Sequence, residues 1–554
     1  MATRSLAAAV LLSASASAAA APVPCCPPFG PPMPAPFPAK YAARFATQPV
    51  SHFNYLQPTD PATNATATFQ QLYLVYDAHW AGPPAPIVFY TGAEGTGVEA
   101  IWPHSGWVVD TLAQNLSALV IFAEHRFFGL SVPGGEPGGF AVDATHLGVL
   151  SEAEALEDFA ALATQLRTNL SAWDSPLISV GGSLAGELTA WFRIRYSHLV
   201  DMGIAASAPI FGYPGLADPY GWNRVATDCF RSLGGDACVE NVRSGYWQTS
   251  ALSAAEVTAA FNTCTPASLP CHAQQVADLV ADWAGGAAES SYPPTADRSA
   301  VLHGCVAMQN ATSGLQAYQQ LLAPQEPGQC LNISWFWECP TSSRSSGGGA
   351  PRAPRRPGQL RRPRPAATKP RRDGDYEGWC LQHLDSALCQ DGWTFQSCTT
   401  EIHPIAANNV TDFFPPFPPE KDDRLASCRN LYGGNISLDA QAMPRAFGQL
   451  DEARMAASAS RIIFSSGSYD PWSAQSVNRS LSASLPFVLI DQGAHHSDLG
   501  ESANPVPDPQ RDTPALVAAR EFEIETLRGW IADFHKERRA AKARLAANER
   551  HHFV

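Results

Sequence analysis

Charged side chains are scarce in this 554-residue chain, at 16% of it, against roughly 25% in an average soluble protein. Apolar residues reach 45%, a balance that builds a core and excludes a wholly disordered chain. Basic residues are outnumbered, 37 to 51, for a net charge of −14. The basic footprint of a nucleic-acid binder is therefore missing. Beyond the N-terminus no apolar run approaches the ~20 residues needed to span a bilayer, so no membrane span is expected. The 13 cysteines include no CxxC pair of metal-ligand spacing, and neither a metal nor a cofactor is expected.

The N-terminus has the order of a secretory signal over 1–21: Arg4, an apolar stretch from Leu6 to Leu12, then small residues up to Ala21. A proline-rich leader follows over 22–40. Asn-x-Ser/Thr sites begin at Asn64, Asn115, Asn169, Asn310, Asn332, Asn409, Asn435 and Asn478, which suits a chain that meets the glycosylation machinery. Apart from Cys25 and Cys26, the cysteines lie between Cys229 and Cys428, a disulfide-stapled region in an oxidising compartment. These features predict the secretory pathway, ending in a lysosome or vacuole or outside the cell.

The chain is too long for one ordinary domain. Apolar runs predict strands at Leu72–Tyr76, Ile87–Tyr90, Ala118–Phe122, Leu177–Val180 and Gly203–Ser207. Helical spacing marks 152–170 and 184–196. The alternation predicts a parallel sheet covered on both faces, beginning with a first part over 41–215. Residues 216–450 are Cys- and Trp-rich with short amphipathic pieces such as Ala254–Phe261 and Ala273–Trp283, and are expected to form an inserted, mostly helical, disulfide-linked domain. Inside it, 341–372 carries ten basic and no acidic residues among Ser, Gly and Pro, and predicts a disordered insertion. The sheet resumes over 451–535, with strands at Arg461–Phe464 and Pro486–Ile490 and a helix over 513–534, before a basic tail over 536–554. Without the insertion, 27 basic residues face 51 acidic ones, a net of −24.

Ser183 follows Gly181-Gly182 between a buried strand and a helix, the tight turn that lifts a nucleophilic hydroxyl above a sheet edge. A serine needs an imidazole base, and the base a carboxylate to orient it. Asp470 follows the 461–464 strand and His495 the 486–490 strand, in the order Ser, Asp, His. His496 and Asp498 are rivals for the base and the acid. His125, ahead of the serine, fits a supporting role better, because a chymotrypsin-like order belongs to an all-β fold. The amide of Leu184 is the first candidate for an oxyanion hole.

Six blocks carry a family resemblance: 89–95, 122–129, Gly181-Gly182-Ser183 with Trp191-Phe192-Arg193, Ala205–Pro209, Asp470–Ser473, and Gly493-Ala494-His495-His496. Together they resemble the serine carboxypeptidase S28 family, over about Tyr41 to Phe534. The resemblance implies an α/β-hydrolase fold with a large inserted helical cap and a triad at Ser183, Asp470 and His495. The amide of Ala93 would be the second oxyanion donor. It also implies a serine exopeptidase cleaving beside proline, of either Pro-Xaa carboxypeptidase or Xaa-Pro dipeptidyl peptidase type. Its partners would be proline-containing peptides, not nucleic acid, and a homodimer stays open. The alternatives are a lipase or esterase on the same fold, or a catalytically weakened binding homologue. The chain departs from the family pattern at Leu184, Ala185, Glu187 and Ala93. Glu187, where the family usually has Met, would face either the site or solvent.

Overall fold

A computed structural model describes residues 12–13, 41–55, 67–94, 97–133, 147–269, 271–295, 298–323, 329–333, 392–419, 424–432, 436–500 and 512–551. Apart from 12–13, the expected signal and leader lie outside the described residues, as do Asn64, Asn435 and the 341–372 insertion.

The centre is an eight-stranded sheet. Its strands are β1 (Ala42–Pro49), β2 (Thr68–Tyr76), β3 (Ile87–Thr91), β4 (Leu119–Ala123), β5 (Leu177–Gly182), β6 (Met202–Ala206), β7 (Ile462–Gly467) and β8 (Phe487–Ile490). The order 1-2-4-3-5-6-7-8 is that of an α/β-hydrolase. Every residue of β3, β4, β5 and β6 is buried, which is why these strands read as uninterrupted apolar runs. The parallel reading needs one correction. β2 pairs antiparallel with both β1 and β4, and β1 is half exposed as an edge strand.

Alternate residues serve the two faces, as strand pleating requires. Ile87, Phe89, Leu119 and Ile121 pack on helix α1 (Glu152–Asn169) and helix α2 (Leu184–Arg195). Val88, Tyr90, Val120 and Phe122 face the other way, towards Trp102, Trp107 and Leu527 of the closing helix. α1 starts where Ser151 accepts a hydrogen bond from the Glu154 amide. It buries Leu156, Phe159, Leu162 and Leu166 on its inner face.

Between β6 and β7 the chain is mostly helical. α3 (Gly221–Ser250), α4 (Ala254–Phe261), α5 (His272–Glu289), α6 (Ala300–Met308) and α7 (Gly314–Leu321) bury two apolar clusters of their own. α3 bends at Gly235, whose φ of 76° is left-handed. Disulfides join Cys238 to Cys305, Cys264 to Cys330 and Cys398 to Cys428, and Cys271 is also disulfide-bonded. Cys229 is a buried free thiol. The closing helix, α8 (Pro514–His551), runs well past its expected end and takes up most of the basic tail. Alanine, lysine and arginine favour helix even where packing does not decide. No helix of the described residues is long and apolar enough to cross a membrane.

Candidate active site

Ser183 ends β5 and opens α2 with φ 59° and ψ −131°. This left-handed backbone is rare for a non-glycine residue and costs of order 1–3 kcal/mol. Neighbouring bonds hold it: the Ser183 amide donates to the Ala206 carbonyl (3.0 Å), and the Ser183 carbonyl accepts from the Gly186 (2.8 Å) and Glu187 (3.1 Å) amides. The flanking glycines are sterically required. A Cβ on Gly181 would lie 2.2 Å from the Ala185 carbonyl oxygen, and one on Gly182 2.7 Å from the His496 ring. Ala185 fits where a glycine is usual in the family: it is fully buried, and its carbonyl accepts the Thr91 hydroxyl at 2.7 Å.

Asp470 leaves β7 and begins a 3-10 turn, accepting the Trp472 amide at 3.0 Å. The same oxygen, Oδ1, lies 3.0 Å from Nδ1 of His495, and both side chains are buried. Burial pulls the His495 pKa down, but the Asp470 carboxylate, with smaller help from Glu289 and Glu94, outweighs it and the net shift is upward. The His495 amide is fixed by the carbonyl of Glu289 at the end of α5 (3.0 Å), whose carboxylate accepts Trp472 Nε1 at 2.7 Å. The inserted helices thus hold the backbone of His495 directly. Nothing in the local sequence around Glu289 announces this.

The rivals are placed elsewhere. Asp498 accepts the Ser465 hydroxyl and shares a buried environment with Glu523. His496 donates its amide to the Ser207 hydroxyl (2.7 Å), and burial, with His495 beside it, pushes its ring pKa down to about 3. Ser183 makes no hydrogen bond to His495 among the described contacts. The two are brought to one end of the sheet, Gly182 abutting the His496 ring and the His495 and His496 rings standing 4.6 Å apart. Hydroxyl–imidazole bonds in ligand-free hydrolases often tighten only with substrate. Leu184 supplies the first amide of α2, where intrahelical acceptors are lacking. Ala93 follows the end of the adjacent strand β3.

The block around His125 is scaffold. Arg126, fully buried, donates to both oxygens of Asp158 (2.7 and 2.8 Å) and to the carbonyls of Val50 and Val149. Glu124 accepts from the Leu130 amide and the Ser131 hydroxyl, and burial pushes its pKa up to about 7. His125 bonds the Arg126 carbonyl at 2.7 Å and lies 3.4 Å from Glu152. Glu187 faces neither solvent nor open cleft. It is fully buried, with Glu401 and His403 beside it.

Of the described glycosylation candidates, Asn115, Asn169, Asn310 and Asn478 are exposed. Asn332 and Asn409 are half-buried, and the Asn409 amide donates to the Phe414 carbonyl at 3.1 Å.

Comparison with known proteins identifies the family. The family model described as serine carboxypeptidase S28 matches residues 57–325 and 374–523, its gap bracketing the 341–372 insertion. Lysosomal Pro-X carboxypeptidase of Mus musculus is 28% identical over 516 residues, covering 88% of this chain and 89% of that protein. The Homo sapiens protein of that name is 29% identical, covering 88% of each. Thymus-specific serine protease of Homo sapiens is 26% identical over 84% of this chain and 83% of its own. Among solved structures, proline iminopeptidase of Mycobacterium smegmatis matches 89% of this chain and 99% of its own at 10% identity and a TM-score of 0.36. The chain belongs to the serine carboxypeptidase S28 family and is a serine-type peptidase.

Proposed function

We propose that this chain is a serine exopeptidase that removes residues beside proline through a Ser183–His495–Asp470 acyl-enzyme mechanism. The carrying observation is the buried Asp470–His495 pair, 3.0 Å apart, at the sheet edge where Ser183 occupies its left-handed turn. Ser183 Oγ attacks the scissile carbonyl carbon while His495 Nε2 takes the hydroxyl proton. The carbon–nitrogen bond then breaks and the same proton goes to the leaving amine. Water, deprotonated by His495, then attacks the acyl carbon, and the proton passes from His495 to Ser183 Oγ as the ester bond breaks. Asp470 keeps Nδ1 protonated and stabilises the imidazolium. The amides of Leu184 and Ala93 receive the oxyanion, and the N-terminus of α2 adds its dipole.

The relatives named Pro-X carboxypeptidase favour the C-terminal mode. The inserted helices, reaching His495 through Glu289, suit an enzyme that admits chain ends rather than loops. The sequons and the N-terminal signal support a secretory route, with a lysosome-like compartment the destination its acidity suits. The test digests peptides ending Pro-Xaa in parallel with Xaa-Pro dipeptidyl amides. Release of the C-terminal residue from the first set, abolished in Ser183→Ala, is expected. Inactivity on both sets would overturn the reading, and cleavage of the amides alone would reassign the mode.

A further inference from the structure

Beside the nucleophile helix lies a buried group that the proposed mechanism does not use. Glu187 stands on α2 one turn beyond Ser183, and Glu401 and His403 come from the inserted region, after the helix Gly392–Ser397. One ligand atom from each lies within 4.8 Å of the others. His403 Nε2 is 3.1 Å from Glu401 Oε2 and 3.7 Å from Glu187 Oε2. Metal–ligand bonds of about 2.0–2.1 Å in a tetrahedron give ligand–ligand edges of roughly 3.3–3.4 Å. The two separations straddle that value.

Three further observations point to a ligand. His403 Nδ1 donates to the Gly212 carbonyl at 2.7 Å, which sets Nε2 towards the carboxylates, 3.1 Å from Glu401 Oε2. A backbone carbonyl on the far nitrogen is the usual orienting partner of a metal-bound histidine. Both Glu187 oxygens and Oε1 of Glu401 are buried without a hydrogen-bond partner. The hydroxyl of Tyr213, fully buried with its ring 5.3 Å from that of His403, lacks one as well. Among the described residues the ion-pair partner of Glu187 and Glu401 is His403, and neither pairs with a lysine or arginine. Two buried carboxylates beside one imidazole must share a proton or a cation, and a divalent ion satisfies all three groups at once.

We propose that Glu187, Glu401 and His403, with Tyr213 alongside, form a divalent-cation site of the zinc class that ties the nucleophile helix to the inserted region. Two carboxylates and an imidazole are a recognised donor set for such an ion. The absence of paired cysteines gave no hint of it, because these ligands come from segments far apart in sequence.

The full-length, untagged protein is dialysed into metal-free buffer and its metal content measured by mass spectrometry. About one equivalent of a zinc-class metal per chain is expected, retained or regained on titration with zinc alone. A strong chelator should lower Tm by several degrees and zinc should restore it, since a ligand of the folded state stabilises by mass action. Glu401→Gln and Glu187→Gln should each weaken zinc affinity at least about ten-fold, while Ser183→Ala keeps it. Wild-type protein that takes up less than about a tenth of an equivalent, with a Tm indifferent to chelator and zinc, would overturn the proposal. So would Glu401→Gln binding zinc as tightly as wild type. If a variant does not fold, the wild-type titration decides alone. None of these readouts requires peptidase activity.

Discussion

Replacing Asp470 by asparagine tests how the imidazole is held. Oδ1 of Asp470 serves both His495 Nδ1 and the Trp472 amide, each at 3.0 Å, while Oδ2 is buried without a partner. An asparagine therefore keeps its carbonyl oxygen at the Oδ1 position. Flipping it would set an NH2 against the Trp472 N–H. The imidazole keeps its orientation and tautomer but loses the carboxylate charge, and an unpaired NH2 is buried where Oδ2 stood. The carboxylate–imidazolium pair forms only as His495 takes the proton, so losing about 3–5 kcal/mol of buried pairing falls on the barrier and is about 10²–10⁴ in rate at 1.36 kcal/mol per decade. Asp470→Asn should fall in the lower half of that range, about 10²–10³ in kcat, with KM changed less than ~3-fold. Asp470→Ala orphans both the ring and the Trp472 amide and should reach the upper end. With Asp470 neutral, burial is opposed only by the smaller contributions of Glu289 and Glu94, so the acid limb of the kcat/KM profile should move to lower pH. Steady-state kinetics on a Pro-Xaa peptide across pH gives both quantities. Asp470→Asn within ten-fold of wild type, Asp470→Ala no worse than Asp470→Asn, or an acid limb moving upward would refute the reasoning.

Two further outcomes concern stability. Gly182→Ala puts a Cβ within 2.7–2.9 Å of three His496 atoms, and should cost about 1–3 kcal/mol by denaturant titration while depressing activity through the displaced histidine pair. The buried acids should make the protein more stable in acid. Glu124 titrates at about 7 when folded against 4.5 ordinarily, so its contribution is full below 4.5 and is lost as pH rises through 7, on the order of 3 kcal/mol in all. Asp498, raised by burial, and Glu523, raised by burial and by Asp498, act in the same direction. The wild-type Tm should fall more steeply, or rise less, from pH 5 to 7.5 than that of Glu124→Gln, because the depressed His496 ring opposes the fall equally in both. Equal slopes in the two proteins would contradict the assignment of Glu124.

The parallel core was readable because strands buried on both faces have no polar interruptions, as in Leu119–Ala123. β1 was missed because its exposed face makes Ala42–Pro49 read as loop. β2 was cut short because Gln70 and Gln71 interrupt its apolar pattern, although Gln71 is buried and hydrogen-bonded to the Glu124 carbonyl. Ser183, Asp470 and His495 could be picked out because each sits at the end of its own strand. Glu289, Glu401 and His403 could not, because their roles exist only once the inserted region packs on the sheet edge. Glu187 departs from the family pattern, but whether it faces solvent or core depends on partners more than two hundred positions later.

The central claim is that Ser183 is a nucleophile activated by His495. The direct measurement treats the protein with a fluorophosphonate, digests it and locates the adduct by mass spectrometry. A single adduct on the peptide carrying Ser183, absent in Ser183→Ala and slowed at least about 10³-fold in His495→Ala, is the predicted result. An unlabelled wild-type protein that is correctly folded, or labelling that persists in Ser183→Ala, would contradict it.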